Sequence, residues 1–263
     1  MVDGWTSLLQ AILAALHSLT LPAHCVLCGA RGQAPTLDLC APCAADLPLN
    51  GRSCSRCAEP FADAGPLADA APLADAGPFG DAERLADTEP SSRVLGRVAP
   101  PIVGRTSLEE CGRCAAHPPS FDRAVAPLRY EYPVDRMIQR FKYAGALSFG
   151  RVLGMLLAAA AHATAGGDAA GKGPQVLLPV PLHPDRHRER GFNQALELAR
   201  PVSRLLRLPI DDRLCRRVRN TADQTGLLAG QRRKNLRRAF AVVRAPQWTH
   251  VALLDDVLTT RPI

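Results

Sequence analysis

The spacing of the cysteines constrains the first half of this chain more than any other feature. Eight of the nine cysteines lie in four C-x-x-C pairs. The pairs are Cys25/Cys28, Cys40/Cys43, Cys54/Cys57 and Cys111/Cys114. A C-x-x-C turn places two thiolates on one side of a metal, so two such turns complete a tetrahedral site of four sulfurs around zinc. The four pairs therefore predict two structural zinc ions, in which the protein fills every coordination position.

The order of the pairs leaves two ways to build these sites. Sequential pairing joins the first pair to the second across eleven residues, as in a zinc ribbon, and the third pair to the fourth across a long loop. Crossed pairing joins the first to the third and the second to the fourth. Disulfide bonds are a third arrangement, but the repeated spacing and an expected cytoplasmic location favour zinc.

The N-terminal segment has the apolar spacing of a helix. Apolar residues recur every three or four positions between residues 2 and 19, which predicts an amphipathic helix over residues 1–20 that packs on the body of the protein. A peripheral contact is the alternative. Asp3 stands where a signal peptide carries basic residues, and the apolar run is too short to cross a bilayer. We therefore expect a cytoplasmic protein with no stable membrane insertion.

A repeat with a period of six lies between the third and fourth cysteine pairs. From residue 62 it reads A-D-A-G-P-L, A-D-A-A-P-L, A-D-A-G-P-F, G-D-A-E-R-L, and it ends near residue 90. Regular prolines and acidic residues favour a disordered insertion over a β-helix. We therefore predict a double zinc-ribbon region over residues 21–117 with a disordered insert at about 62–105.

Residues 121–263 alternate between patterns typical of strands and of helices. Strands are expected over residues 123–132, 176–180 and from 251, and helices over residues 133–143, 147–163 and 192–206. This alternation predicts an α/β domain with a parallel sheet. Cys215 stands alone among arginines and is expected to be a partly buried thiol with no role.

The last expected strand ends at two adjacent acids. Residues 251–260 read V-A-L-L-D-D-V-L-T-T, so Asp255 and Asp256 follow the apolar run at the end of the sheet where α/β proteins bind ligands. This stretch resembles the phosphoribosyl-pyrophosphate (PRPP) loop of type I phosphoribosyltransferases. The resemblance implies that Asp255 and Asp256 hold the ribose hydroxyls and that Thr259 and Thr260 contact the 5′-phosphate.

The resemblance to that loop stops after the threonines. Arg261 stands where the family has glycine, and Pro262 has no N–H to donate. The family domain also continues with a helix and at least one more strand. We therefore expect the phosphoribosyltransferase-like domain, residues 121–263, to be incomplete at its C-terminus, with an uncovered face on the last strand and impaired transferase activity.

Three further motifs point to one family. They are R-Y-E-Y … F-K-Y-A-G at residues 129–145, P-V-P-L-H-P-D-R-H-R-E-R-G-F-N-Q-A at 179–195, and N-T-A-D-Q-T-G-L-L-A-G-Q-R-R-K-N-L-R-R-A-F at 220–240. Together with the cysteine pairs, they resemble the competence-associated ComF family over nearly the whole chain. The resemblance implies a type I phosphoribosyltransferase-like parallel sheet flanked by helices, preceded by a small Cys-rich zinc-ribbon region.

The same resemblance assigns two loops around PRPP. Residues 179–195 take the place of the pyrophosphate loop, where Arg186, Arg188, Arg190 and Asn193 would bind an anion; an exposed basic loop leading into a helix is the alternative. Residues 220–226 resemble a mobile hood. Its ligand-facing residues would be Thr221, Gln224 and Thr225, and a plain surface loop is equally consistent with this sequence.

The positive charge is concentrated in this second half. About half of the 32 Lys and Arg residues lie between residues 183 and 244, and the net charge is +7. Such a concentration indicates a phosphate or nucleic-acid site, or a solvated basic face. The basic residues 231–238 are expected to form a helix that contacts nucleic acid or faces solvent. Aromatic residues make up only 5% of the chain, which argues against a stacking platform for single strands.

Two functions follow from the resemblance. The first is a phosphoribosyltransferase-domain protein that binds PRPP with Mg²⁺ and is linked to DNA uptake in natural transformation. The second is a non-catalytic accessory protein of DNA uptake that binds zinc and nucleic acid, with single-stranded DNA or a DNA-uptake helicase as its partner.

Overall fold

The computed structural model describes residues 24–32, 37–61, 109–165, 173–220 and 236–258. The expected N-terminal helix, the hexapeptide insert, the hood residues Thr221, Gln224 and Thr225, and the loop residues Thr259 and Thr260 lie outside these ranges. The chain divides into two compact units. The first comprises Met1–Leu47 and Ala71–Val98, and the second comprises Pro48–Ala70 and Ala99–Ile263.

The described part of the first unit is a zinc-ribbon knuckle and a short helix. His24 and Arg31 form an antiparallel bridge, and the N–H of Cys25 donates to the carbonyl of Ala30 at 2.7 Å. The turn between them needs a left-handed residue, which is Gly29 with φ of 76°. Helix α1 follows at Ala41–Ala45.

The second unit contains the remaining elements. In chain order they are α2 Gly112–Ala116, α3 Val134–Tyr143, α4 Leu147–Ala165, β1 Val176–Pro179, α5 Pro184–Arg190, α6 Gln194–Leu206, β2 Cys215–Arg217, β3 Phe240–Val242 and β4 Val251–Leu254. Strand β1 pairs in parallel with β4, and β2 pairs antiparallel with β3. Ile210 adds a parallel bridge to Leu177 of β1. The expected parallel sheet is therefore present.

Helix α4 packs on α3 and on α6, and α6 contacts β1 and β4. Buried Val134, Met137, Ile138 and Phe141 give α3 one apolar face, as the sequence spacing predicted. Helix α4 is long and apolar enough to cross a membrane by composition, but 56% of its window Leu147–Thr164 is buried within the protein. Helix α4 packs mainly on α6, as expected of a helix in the core of a globular unit.

Close packing of α4 depends on two glycines. A Cβ at Gly154 would stand 2.6 Å from Pro201 Cγ and 3.3 Å from the backbone oxygen of Leu198. A Cβ at Gly150 would stand 2.3 Å from the ring of Phe141. Both glycines therefore permit a helix separation that alanine would prevent.

Two expectations about elements were wrong. Residues 123–132 form no strand; only Leu128 bridges to Leu49, because Pro127 interrupts the donor pattern. The expected basic loop after β1 contains helix α5, which Pro184 starts and Gly191 ends at φ of 78°. Strand β4 has the uncovered face that was expected of the last strand, since Leu253 is 73% exposed while Leu254 is 6% exposed. Alternate side chains of β4 face opposite sides, and one side is uncovered.

Candidate functional site

The eight paired cysteines form two clusters, and their pairing is sequential. The first cluster contains Cys25, Cys28, Cys40 and Cys43; the second contains Cys54, Cys57, Cys111 and Cys114. In each cluster the four sulfurs lie within 4.8 Å of one another. Crossed pairing is therefore excluded, and none of the nine cysteines forms a disulfide.

The sulfur geometry fits zinc. The Sγ atoms of Cys28 and Cys40 are 3.6 Å apart, and those of Cys57 and Cys111 are 3.8 Å apart. Four sulfurs in a tetrahedron with zinc–sulfur bonds of about 2.3 Å lie about 3.8 Å from one another. Both clusters can therefore hold one structural zinc ion each, which leaves no open position for catalysis.

In each cluster, one cysteine has a thiol pKa below its usual value. Burial acts to raise the pKa of Cys54, but N–H groups of Cys57, Cys111 and Arg56 point at its sulfur and lower the pKa to about 6. Cys25 has the same arrangement, and its pKa is likewise lowered to about 6. Because zinc binds thiolates, these N–H groups favour metal loading near neutral pH.

The second cluster is tied to the segment that precedes α3. Asn50 is 8% exposed, and its Nδ2 donates to the carbonyls of Ala58 and Ala126, both at 2.9 Å. The N–H of Ala124 also donates to the carbonyl of Arg56 at 2.8 Å. The knuckle of the second ribbon and residues 124–126 therefore hold each other in place.

The same segment forms one wall of a cleft at the carboxyl end of β4. The cleft encloses about 130 Å³ and is lined by residues 125–128 and 130, by apolar side chains of α3, α4 and α6, and by residues 255–258. Its walls are mainly apolar, and the charged groups among the described residues that line it are Asp255 and Asp256. The two expected ribose ligands thus lie beside a hollow at the end of the sheet.

Asp256 is held by a lysine that sequence reasoning missed. Lys142, in the last turn of α3, places its Nζ 2.8 Å from Asp256 Oδ2. The lysine side chain is 21% exposed and the aspartate side chain 11%. Lys142 belongs to the F-K-Y-A-G motif at residues 141–145. From the sequence alone, this motif indicates the family but no role for the lysine.

Asp255 has a different environment. Its Oδ1 accepts the N–H of Asp256 at 2.8 Å, and the residue retains surface exposed to solvent. Protein packed around the cleft nevertheless displaces much of the water that would hydrate the carboxylate, and the charge of Asp256 repels it. These two effects raise the pKa of Asp255 to about 6, although Lys142 acts in the opposite direction.

The expected anion-binding residues separate into two groups. Within α5, Arg186 pairs with Glu189 at 3.2 Å and Arg188 pairs with Asp185. Arg190 instead lies over the ring of Tyr143, 5.4 Å from its centre, next to Lys142 in the chain.

Asn193 joins the two strand ends. As the N-cap of α6 it accepts the N–H of Ala195 at 3.0 Å, and its Nδ2 donates to Val180 at 3.2 Å. The N–H of Val180 in turn donates to the carbonyl of Leu254, directly before Asp255. Asn193 is therefore linked through Val180 to the residue before Asp255, and Arg190 contacts Tyr143 and Gln194, whereas Arg186 and Arg188 have partners within α5.

A buried amide follows Asn193 in α6. Gln194 is 3% exposed, and its Oε1 accepts from Arg190 at 3.3 Å. Its Nε2 is buried without a hydrogen-bond partner among the described residues. Such donors are uncommon in proteins and call for a physical explanation.

Known proteins share these features. A sequence model of the double zinc ribbon domain matches residues 16–71, which contain the first three cysteine pairs. Competence protein F of Haemophilus influenzae is 37% identical over 159 residues, which cover 58% of this chain and 67% of that protein. The chain belongs to the ComF family.

Other relatives agree with this assignment. The DNA utilization protein YhgH of Escherichia coli K12 is 36% identical over 153 residues, and that of Salmonella typhi is 34% identical over 160. These matches span 66% and 68% of the relatives' own lengths. No solved structure matches the chain. The fourth cysteine pair lies beyond the matched zinc-ribbon residues and joins its ribbon across the repeat.

Proposed function

We propose that this ComF-family protein acts in DNA uptake and binds PRPP at the carboxyl ends of β1 and β4. The observation that carries the proposal is the pair of adjacent carboxylates that follows β4, one of which pairs with Lys142 of α3; Arg190 of α5 lies over Tyr143, the next residue after Lys142. Carboxylates accept the hydroxyl protons of a ribose, and guanidinium groups match the oxygens of a diphosphate.

Each group has a distinct role in this proposal. Asp255 and Asp256 bind the ribose, Arg190 and Asn193 bind the pyrophosphate, and Gln194 donates to a ligand oxygen. Thr259 and Thr260 contact the 5′-phosphate, while Thr221, Gln224 and Thr225 cover the site. Mg²⁺ suits this set of hard oxygen donors and would neutralise the diphosphate, held mainly by PRPP oxygens and water. A cytoplasmic location is part of the same proposal.

Calorimetric titration of the full chain with PRPP and Mg²⁺ tests this function. Asp255→Asn removes an ionised acceptor and should weaken PRPP binding roughly 10–100-fold, because hydrogen bonds to charged groups contribute about 1.5–3 kcal/mol. Asp212→Asn, at an exposed position after α6, is the matched control and should bind as the wild type does. Equal affinities for both variants would contradict the proposal.

Nucleic-acid binding without PRPP is the second candidate. Arg213, Arg216, Arg219, Arg237 and Arg238 are all exposed on or beside the ribbon of β2 and β3, and two relatives are named for competence and DNA utilization. The same Asp255→Asn protein separates the candidates: salt-sensitive binding to a single-stranded oligonucleotide that survives this change, in a chain that binds no PRPP, would favour the second.

A further inference from the structure

We propose that Cys28 is a modification site: among the eight clustered cysteines its thiolate reacts first with a hydroperoxide, and the reaction releases zinc from the first cluster but not from the second. This reactivity belongs to the zinc-ribbon region and does not depend on PRPP binding. The two clusters have the same ligands, but the protein covers them to different extents.

Cys28 lies on the open side of the first cluster. It is the exposed cysteine among the eight ligands, and residues 28–31 are all exposed with it. Nothing lies within 4 Å of the place where a Cβ on Gly29, the next residue, would stand. Two other cysteines of this cluster are buried, and Cys43 is half-buried. A small solute therefore reaches Cys28 more easily than the other three ligands.

The second cluster is closed by its own ribbon. Cys54, Cys57 and Cys114 are buried, and Phe61 packs against them. Three ion pairs join the two halves of this ribbon: Arg52 with Glu109 at 2.9 Å, Arg56 with Glu110 at 3.4 Å and Arg113 with Glu59 at 3.6 Å. An oxidant therefore has less access to the second cluster than to the first.

The chemistry needs a thiolate, an oxidant and a second thiolate nearby. Zinc coordination keeps Cys28 deprotonated, which is the reactive form. Its sulfur attacks one oxygen of hydrogen peroxide, the O–O bond breaks, and a sulfenic acid forms with release of hydroxide. Cys40, whose Sγ lies 3.6 Å from that of Cys28, then attacks the sulfenic sulfur and displaces a second hydroxide. Two thiolates are thereby oxidised to one disulfide, one peroxide is reduced to two hydroxide ions, and only two of the four zinc ligands remain.

The cysteine outside both clusters provides an internal reference. Cys215 is half-buried, and burial raises the pKa of its thiol. A thiol in its neutral form is a poor nucleophile, and only the thiolate is oxidised readily. Cys215 should therefore remain reduced while Cys28 reacts.

Zinc release from the full, zinc-loaded chain tests the proposal, with millimolar hydrogen peroxide as the probe and a zinc-binding dye as the readout. One zinc ion should leave first and the other at least about tenfold more slowly, since reactivity follows the exposure of the thiolate. Peptide mass spectrometry after blocking with N-ethylmaleimide should locate the first oxidation at Cys28 and its disulfide at Cys40. Dithiothreitol with added zinc should restore the first site.

Two matched variants assign each rate to its cluster. Cys28→Ser removes a ligand of the first cluster, so the zinc ion that it retains belongs to the second and should leave at the slow rate. Cys114→Ser retains the zinc ion of the first cluster and should release it at the fast rate.

Three results would overturn the proposal: retention of both zinc ions by the wild type, equal release rates for the two, or release of the first ion while Cys28 is unmodified. Peptide analysis of the wild type decides the last point even if a variant fails to fold.

Discussion

Gln194 begins α6 with its amide almost completely buried, and its Nε2 has no acceptor within the described residues. An unsatisfied buried donor costs about 1–3 kcal/mol. Arg190 donates to Oε1 of the same side chain and thereby sets which end of the amide lacks a partner. A phosphate or ribose oxygen would supply the missing acceptor, so the ligand would remove an unfavourable feature of the free protein.

Replacement of Gln194 by leucine should therefore lower PRPP affinity without lowering thermal stability. The melting temperature should stay the same or rise, because the unsatisfied donor is removed, while PRPP affinity should fall by about tenfold for one lost hydrogen bond. Thermal unfolding and calorimetry of the same samples measure both. Gln139→Leu, at an exposed position of α3, is the control. A melting temperature lowered by several degrees would show that Gln194 is already satisfied in the free protein.

The sequence predicted part of this site. The cysteines follow from spacing alone, and the two acids follow from their place after an apolar run and from the resemblance. Lys142 and Gln194 could not be found in the same way, because their roles depend on which helix ends lie near β4 and on whether an amide is buried. Arg186 and Arg188 show the converse: their type suggested an anion site, but local partners in α5 engage them.

At the scale of elements, the site is supported by the contact between α4 and α6. Gly154 lies against Pro201 and the backbone of Leu198, so the two helix axes approach closely at this point. Helix α6 begins with Asn193 and Gln194, and its position sets where these side chains meet the ends of β1 and β4. A change in the packing of α4 on α6 should therefore shift Asn193 and Gln194.

Gly154→Ala tests this support. The added methyl group would stand 2.6 Å from Pro201 Cγ, and the backbone of Leu198 limits how far α6 can move. Overpacking of this kind costs about 1–3 kcal/mol, which exceeds the gain in helix propensity. The melting temperature should fall by about 2–4 °C per kcal/mol for a unit of this size. Gly112→Ala, where a Cβ meets nothing within 4 Å, is the control and should cause no loss.

The helices and strands differ in how well their positions can be predicted from the sequence. Helices α3, α4 and α6 carry long apolar stripes, and their bounds were predicted to within two residues. Helix α5 has no apolar face, so only Pro184 and Gly191 marked its ends, and it was interpreted as a loop. Strands β2 and β3 are three residues long, and β2 is arginine-rich, so no periodicity could indicate them.

For the whole molecule, the two zinc clusters belong to different compact units. The second cluster shares its unit with the cleft, and Asn50 joins its knuckle to the cleft wall through two hydrogen bonds. Zinc bound by the second cluster should therefore order residues 124–126 as well as the ribbon itself. The repeat lies between the third and fourth cysteine pairs in the sequence.

Cys114→Ser should reduce zinc content from two ions per chain to one and also weaken PRPP binding, because the cleft wall loses its anchor. Metal analysis and calorimetry on the same protein measure both effects. Cys215→Ser, which alters the cysteine outside both clusters, should keep two zinc ions and wild-type affinity. One lost zinc ion with unchanged affinity would show that the second ribbon does not support the site.

Asn50→Ala separates the effect of losing the zinc ion from the effect of losing the hydrogen bonds that join the zinc knuckle to the cleft wall. This variant retains all eight zinc ligands, so two zinc ions should remain, but the carbonyls of Ala58 and Ala126 lose their donor. Each buried carbonyl left unsatisfied costs about 1–3 kcal/mol. PRPP affinity should therefore fall with zinc content unchanged, and amide exchange should quicken across residues 124–130. If exchange there stays slow, the wall is held by the backbone contacts of residues 48–50 alone, and zinc affects the cleft by another route.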